Sequence, residues 1–158
     1  MSSDESFEST EEGSFTFPCS AGDIKKGHYI VMKDTPAKVM NVSTSKTGKH
    51  GHAKCAITAL CLFTNKKLED SIPSSLNVDC PNVTKTEYSL INILEKDFIS
   101  IMDEESGDVR EDLKLSDHKH WKEMNIKLKN DFDSGAEIFV TILKAMGKEI
   151  VISHRKKS

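Results

Sequence analysis

A chain of 158 residues, 37% hydrophobic and 30% charged, is ordinary globular material, sized for one medium domain or two small ones. No apolar run approaches the length of a membrane span, and the N-terminus has neither the basic nor the apolar region of a secretion signal. A cytoplasmic protein without a membrane partner is therefore expected. The net charge of −3 hides an asymmetry: residues 1–15 hold five acids and no base, residues 16–83 nine lysines against five acids, and residues 84–158 thirteen bases against fifteen acids. The four cysteines, Cys19, Cys55, Cys61 and Cys80, contain no Cys-x-x-Cys pair. They read as reduced thiols, mostly buried as small hydrophobes.

Residues 1–15 are too polar and acidic to bury the surface that ordering requires, so a disordered acidic tail is expected there. Ser2 and Ser9 each precede a glutamate by three residues, an acidic setting for phosphorylation, although a solubilising tail is the simpler reading. From Phe15 the text is β-like. A glycine-bracketed turn at Ala21–Gly27 leads to a strand over His28–Lys33, a turn at Asp34–Pro36 and a second strand over Ala37–Thr44. Ala53–Phe63 reads as a long third strand and Lys66–Asp70 as an exposed fourth. Short strands without an intervening helical period predict a small β-barrel over 16–83. The prolines at 73 and 81 place a boundary near Val83.

Beyond it, Glu87–Ile93 alternates, Asp97–Met102 is its hairpin partner, Glu104–Asp108 is an acidic turn, and Val109–Leu115 leads out. Ser116 is the expected N-cap of a helix over Asp117–Asn130, with Trp121, Met124 and Leu128 on the packed face. Gly135 ends that region, and Glu137–Leu143 and Ile150–Ile152 close the sheet. Five strands with one inserted helix are the pattern of an OB-fold over 84–153, followed by a basic tail at 154–158. The fold class expected is mainly β, two small barrels in series.

The stretch with the most unusual chemistry is Ser43–Lys54, STSKTGKHGHAK. It lies within residues 35–68, a window with no Asp or Glu and with Lys38, Lys46, Lys49, Lys54, Lys66 and Lys67. A carboxylate-free zone on an acidic protein is a local positive field suited to a polyanion. A phosphate-binding P-loop is excluded, because His50 follows Gly48-Lys49, no glycine sits five positions earlier and a strand follows. His50-x-His52 lacks further ligands nearby in sequence, and lysines repel a cation, so no metal is expected. Gly48-Lys-His-Gly51 matches the GXXG clamp of KH domains, but that clamp joins helices and β-like text flanks this one. No paired carboxylates or nucleophile–base order stands out, and no catalytic residue is nominated. What remains is Lys49, presented between Gly48 and Gly51, whose permissive backbones suit a hairpin tip and leave the lysine stem unobstructed.

Ser43–Lys54 resembles the modification loop of the eukaryotic translation initiation factor 5A family, the hypusine-containing factors. The resemblance extends to Pro18–Gly22, Lys26–Val31, Phe63-Thr64, Lys66–Asp70, Pro73-Ser-Ser, Asn77–Asp79 and Val109–Leu115. It implies an N-terminal SH3-like barrel followed by an OB-fold domain, and Lys49 as the hypusine site. Deoxyhypusine synthase would transfer the aminobutyl group of spermidine to Lys49, and deoxyhypusine hydroxylase would then hydroxylate it. The implied activity is that of a cytoplasmic translation factor with a possible nuclear pool. It would promote peptide bond formation at stalled, proline-rich sequences and assist termination, by contact with the ribosome and the acceptor end of peptidyl-tRNA. Lys46, His50, His52 and Lys54 would supply RNA contacts, with Gly48 and Gly51 shaping the loop. No resident cofactor, no enzymatic activity and no DNA partner are implied. Leu76 stands where the family usually has His, and Cys61 and Asn65 replace the commoner Asp and Gly. The helix with its Trp, and the ending Ile150–Lys157, are also atypical of the family. Two rivals remain at this level: a general RNA-binding module using the OB-like half, and an enzyme with Lys49 as nucleophile, for which no partner base is visible.

Overall fold

The computed structural model describes residues 15–46 and 53–157. All of the expected acidic tail except Phe15 lies outside the described residues, as does the segment 47–52. The chain divides into two compact units, Met1–Val83 and Thr84–Ser158.

In the first unit β2 (Tyr29–Met32), β3 (Thr35–Lys46), β4 (Ala53–Cys61) and β5 (Lys67–Pro73) form an antiparallel sheet in that order. β1 (Thr16–Ser20) pairs with β6 (Asn77–Pro81) in a separate ladder, and β6 also lies against β2. Together they enclose Ile30, Met32, Val39, Ile57, Ala59 and Leu68, the core of an SH3-like barrel. In the segment Ile72–Pro81, which precedes the expected boundary near Val83, Ile72 and Pro73 end β5 and the second half is β6. Pro73 lies on β5, the edge strand of its sheet, and Pro81 on the two-stranded ladder, where backbone positions that need no N–H donor occur.

Two backbone devices shape the β2–β3–β4 meander. Lys33 and Asp34 both have positive φ, 52° and 62°, and Met32 pairs with Thr35 across them. Positive φ at both central residues is the mark of the type I′ hairpin turn, whose twist suits the flanking strands. The turn expected over Asp34–Pro36 is thus shifted, and Pro36 sits inside β3 opposite Val31. The second device is a bulge at Met40: Val39 pairs with Ala59 but Asn41 with Thr58. Ala37 and Val39 point into the core before it, whereas afterwards Val42 opposes Ile57 and Thr44 opposes the buried Cys55. One extra residue reverses the parity of the strand and so decides which side chains face solvent at its far end.

In the second unit the strand order is β11–β10–β7–β8–β9, from β7 (Val83–Ile93), β8 (Phe98–Met102), β9 (Val109–Lys114), β10 (Ile138–Ala145) and β11 (Lys148–Lys156). β9 and β11 approach each other, curling the sheet into the OB-type barrel around Leu90, Ile99, Ile101, Val140, Ile142 and Val151. The inserted helix, α1 (Lys122–Asp133), lies between β9 and β10.

Helix α1 starts later than expected. Ser116 does not cap it: its Oγ accepts from the His118 N–H, the His118 ring Nδ1 accepts from the His120 N–H, and a 3₁₀ turn at Lys119–Trp121 intervenes. These local bonds compete with α-helical pairing over 117–121. The Ser116 carbonyl instead receives Asn125 Nδ2 at 2.7 Å, which ties the helix to its approach. Met124, Leu128 and Phe132 pack on the core, while Trp121 is half-buried with its ring edge against His120. Gly135, at φ 89°, ends the helix with a Schellman pair, Gly135 N–H to Phe132 O and Ala136 N–H to Asp131 O.

The basic tail expected from His154 is also corrected, since β11 runs to Lys156. His154, Arg155 and Lys156 pair across the ladder with Val140, Phe139 and Ile138. Their polar ends find partners: His154 Nε2 lies 3.1 Å from Asp131 Oδ2, and Arg155 makes two bonds of 2.8 Å to Glu87. Partnered and laddered, a basic sequence becomes strand.

Candidate functional site: a basic hairpin and its clamp

The β3–β4 ladder closes at Lys46 opposite Ala53. Residues 47–52 connect them, so Gly48, Lys49, His50, Gly51 and His52 all lie outside the described residues. Lys46 is the last residue of β3, and Lys54 is exposed on β4, opposite Ser45 on one side and Pro73 on the other. β5 therefore accompanies β4 as far as the hairpin end, whereas β2 leaves β3 at the Tyr29–Lys38 pair.

The hairpin is anchored immediately below its end. Ser74 donates to the Ala53 carbonyl twice, from its N–H at 2.9 Å and from its Oγ at 3.1 Å. The Ser74 carbonyl in turn accepts from the Gly22 N–H at 3.1 Å and from Ser20 Oγ at 3.4 Å. The Ala21 N–H donates to the Leu76 carbonyl, and Cys55 Sγ donates to the Ala21 carbonyl. A Cβ built on Gly22 would stand 3.2 Å from the Ser74 oxygen, so the closeness of the two segments needs a glycine there. These contacts tie the residue that follows the loop to the β1 turn and to the segment after β5. Ser20, Gly22 and Ser74 belong to the site through tertiary contacts that the sequence does not signal. The family-like stretches Pro18–Gly22 and Pro73-Ser-Ser contain them, but nothing in their spacing announces that they meet.

The atypical residues acquire physical accounts here. Leu76 serves through its backbone, donating to the Pro73 carbonyl and accepting from Ala21, while its side chain is 53% exposed. The position thus leaves side-chain choice free. Asn65 has φ 60°, and Asn is among the few non-glycine residues that enter this region readily. Cys61 Sγ accepts from the Phe63 N–H at 3.4 Å, taking the part of a turn acceptor.

Electrostatically the two units differ. Lys38 opposes Leu60, which opposes Lys67, so the two lysines share one exposed row of the sheet, with Lys66 beside it. Among the described residues the ion pairs all lie within 84–158, and Lys38, Lys54, Lys66 and Lys67 join none of them. In the second unit Arg110 is held by Asp112 and Glu149, Arg155 by Glu87, Lys129 by Asp97, and Lys157 by Glu137. Hydrogen bonds donated to Glu149 and Asp112 raise the Arg110 pKa, and Arg110 holds both carboxyls below their usual range. Among the described residues there is no cluster of three metal-ligating side chains. The arrangement offers unneutralised cations on a rigidly based hairpin.

Residues 14–76 match the family model described as "Translation initiation factor 5A-like, N-terminal", and residues 82–155 match "Eukaryotic elongation factor 5A hypusine, DNA-binding OB fold". The chain is 49% identical over 151 residues to eukaryotic translation initiation factor 5A-3 of Arabidopsis thaliana, covering 94% of this chain and 93% of that one. It is 44% identical over 151 residues to eukaryotic translation initiation factor 5A of Drosophila melanogaster, covering 95% and 92%. The chain belongs to the translation initiation factor 5A family. A solved structure of a translation initiation factor 5A family protein from Naegleria fowleri superposes with a TM-score of 0.84 at 48% identity, covering 90% of this chain and 99% of that one. The Methanococcus jannaschii structure, at 23% identity and a TM-score of 0.67 over 89% of this chain and 95% of that one, shares the fold. As a family member the chain is a translation factor, and its two barrels correspond to the N-terminal and OB-fold domains of factor 5A.

Proposed function

We propose that the chain works on the ribosome as a hypusine-dependent factor, with Lys49 as the modified residue. Deoxyhypusine synthase would transfer the aminobutyl group of spermidine to the Lys49 amine, and deoxyhypusine hydroxylase would complete the side chain. The addition lengthens the lysine by roughly 6 Å and leaves two cationic nitrogens in place of one. A narrow, extended cation enters an RNA crevice that backbone cannot, and steadies the acceptor end of peptidyl-tRNA. Holding a mobile reactant in attacking geometry accelerates peptide bond formation at poorly reactive sequences, such as proline runs, and assists release in the same way. The ribosome performs the bond chemistry, so the factor carries no catalytic residue and no resident cofactor. It acts in the cytoplasm, with a nuclear pool.

The observation that carries this reading is the carboxylate-free hairpin, set on the Ser74 clamp and ending at the loop STSKTGKHGHAK, whose described lysines Lys38 and Lys54 join no ion pair. Lys46, His50, His52 and Lys54 supply RNA contacts around Lys49, and Gly48 and Gly51 the loop shape. The rival, a general RNA-binding module centred on the OB-like half, is weakened by the internal neutralisation of Arg110 and Arg155. Mass analysis of the Lys49 peptide from protein made in a eukaryotic host should show the hydroxylated aminobutyl increment. Only unmodified lysine there would overturn the mechanism. Lys49→Arg should unfold at the wild-type temperature yet fail to support a proline-run reporter.

A further inference from the structure

The β1–β6 ladder brings two thiols together. Cys19 opposes Val78 and Phe17 opposes Cys80, so Cys19 and Cys80 are diagonal neighbours on one face of the ladder. Cys80 belongs to the buried core of the barrel and Cys19 packs against that core. Both also line a cavity of about 670 Å³, walled further by Phe17, Pro18, Tyr29 and Pro81. Cys19 is half-exposed and Cys80 buried. Cys55 and Cys61 are engaged with backbone instead, at the Ala21 carbonyl and the Phe63 N–H.

We propose that Cys19 and Cys80 form an oxidisable dithiol site, which hydrogen peroxide converts to an intramolecular disulfide linking β1 to β6. The cavity admits the oxidant to the half-exposed sulfur. Cys19 sulfur attacks one peroxide oxygen, the O–O bond breaks, and Cys19 becomes a sulfenic acid as the first water leaves. Cys80 sulfur then displaces the hydroxyl from Cys19 sulfur. The S–S bond forms, and the Cys80 proton departs with that hydroxyl as a second water. Two thiols are oxidised and one peroxide is reduced. Burial first, then the Cys19 side chain and the Asp79 carboxylate, push the Cys80 thiol up to about 12. Cys80 is therefore the resolving partner, and the second step quickens as pH rises, because the thiolate is the attacking form. The cross-link falls next to Ser20, whose side chain reaches Ser74, so oxidation stiffens the base of the hairpin.

The test is incubation of the full chain with hydrogen peroxide, alkylation under denaturing conditions, and mass analysis. The expected product has lost two hydrogens, about 2 Da, shields two thiols from alkylation, and yields a Cys19–Cys80 linked peptide. It should melt higher than the reduced chain and revert with dithiothreitol. Cys19→Ser and Cys80→Val, each checked for folding by circular dichroism, should form no such product. Alkylation of all four thiols after peroxide, a linked peptide from another pair, a disulfide dimer, or Cys19 advancing to sulfinic acid with Cys80 free would each overturn the site.

Discussion

Ser74 donates twice to the Ala53 carbonyl and accepts from Gly22 and Ser20, so one residue fixes the exit of the loop against two separate segments. Ser74→Ala removes the Oγ bond and keeps the N–H bond, for an expected loss of about 1 kcal/mol in denaturant unfolding. Gly22→Ala places a methyl 3.2 Å from the Ser74 oxygen. The segments must then separate, at a cost of about 1–2 kcal/mol. Both variants should slow modification of Lys49 by deoxyhypusine synthase and spermidine more than Leu76→His, because Leu76 contributes through its backbone alone. Equal rates in all three would show that the loop does not depend on its base.

At the scale of elements, the second barrel is stapled where its ladder is weakest. β9 and β11 approach without an extended pairing, and Arg110 on β9 reaches Glu149 on β11 with bonds of 2.8 and 2.9 Å while also gripping Asp112. Glu149→Gln should cost about 1–2 kcal/mol, since the pair is partly buried and charge-assisted. The Glu149 carboxyl is depressed from 4.5, chiefly by its hydrogen bonds from Arg110. Its contribution is therefore complete above the unfolded value and is lost as pH falls through the lower folded one. Acid unfolding of the second unit should steepen below about pH 4.5, and Glu149→Gln should flatten that part of the profile. Another pairing joins two atypical stretches: His154 and Lys156 of the unusual ending both reach Asp131 of the unusual helix.

Over the whole molecule, charge is sorted by use. Among the described residues the ion pairs sit in the second unit, while Lys38 and Lys67 of the first stand exposed in one row. If those lysines meet phosphates, replacing each by alanine should weaken ribosome binding and make the log–log salt dependence shallower by about one. Lys157→Ala, removing a base that already faces Glu137, should leave that slope unchanged. Cosedimentation at salt concentrations between roughly 50 and 200 mM distinguishes the two.

The alternation of strands, the proline-marked boundary and the acid-free lysine window were legible in the chain because each is a local or compositional property. The stretch Ser43–Lys54 likewise shows in the chain alone that it has no acid or large apolar residue. The bulge at Met40 was not legible, since Val39-Met-Asn-Val42 suits either parity and only packing against β4 selects one. Nor was β11 beyond Ile152, because His154-Arg-Lys is tail or strand according to whether Asp131 and Glu87 lie opposite. The late start of α1 turned on the local bonds of Ser116 and His118, which compete with helix and escape a periodicity count. The sequence alone determined where the acid-free, lysine-bearing stretch lies. The tertiary structure decided what holds its base, because Ser74 meets Ser20, 54 residues away, only after two ladders have closed.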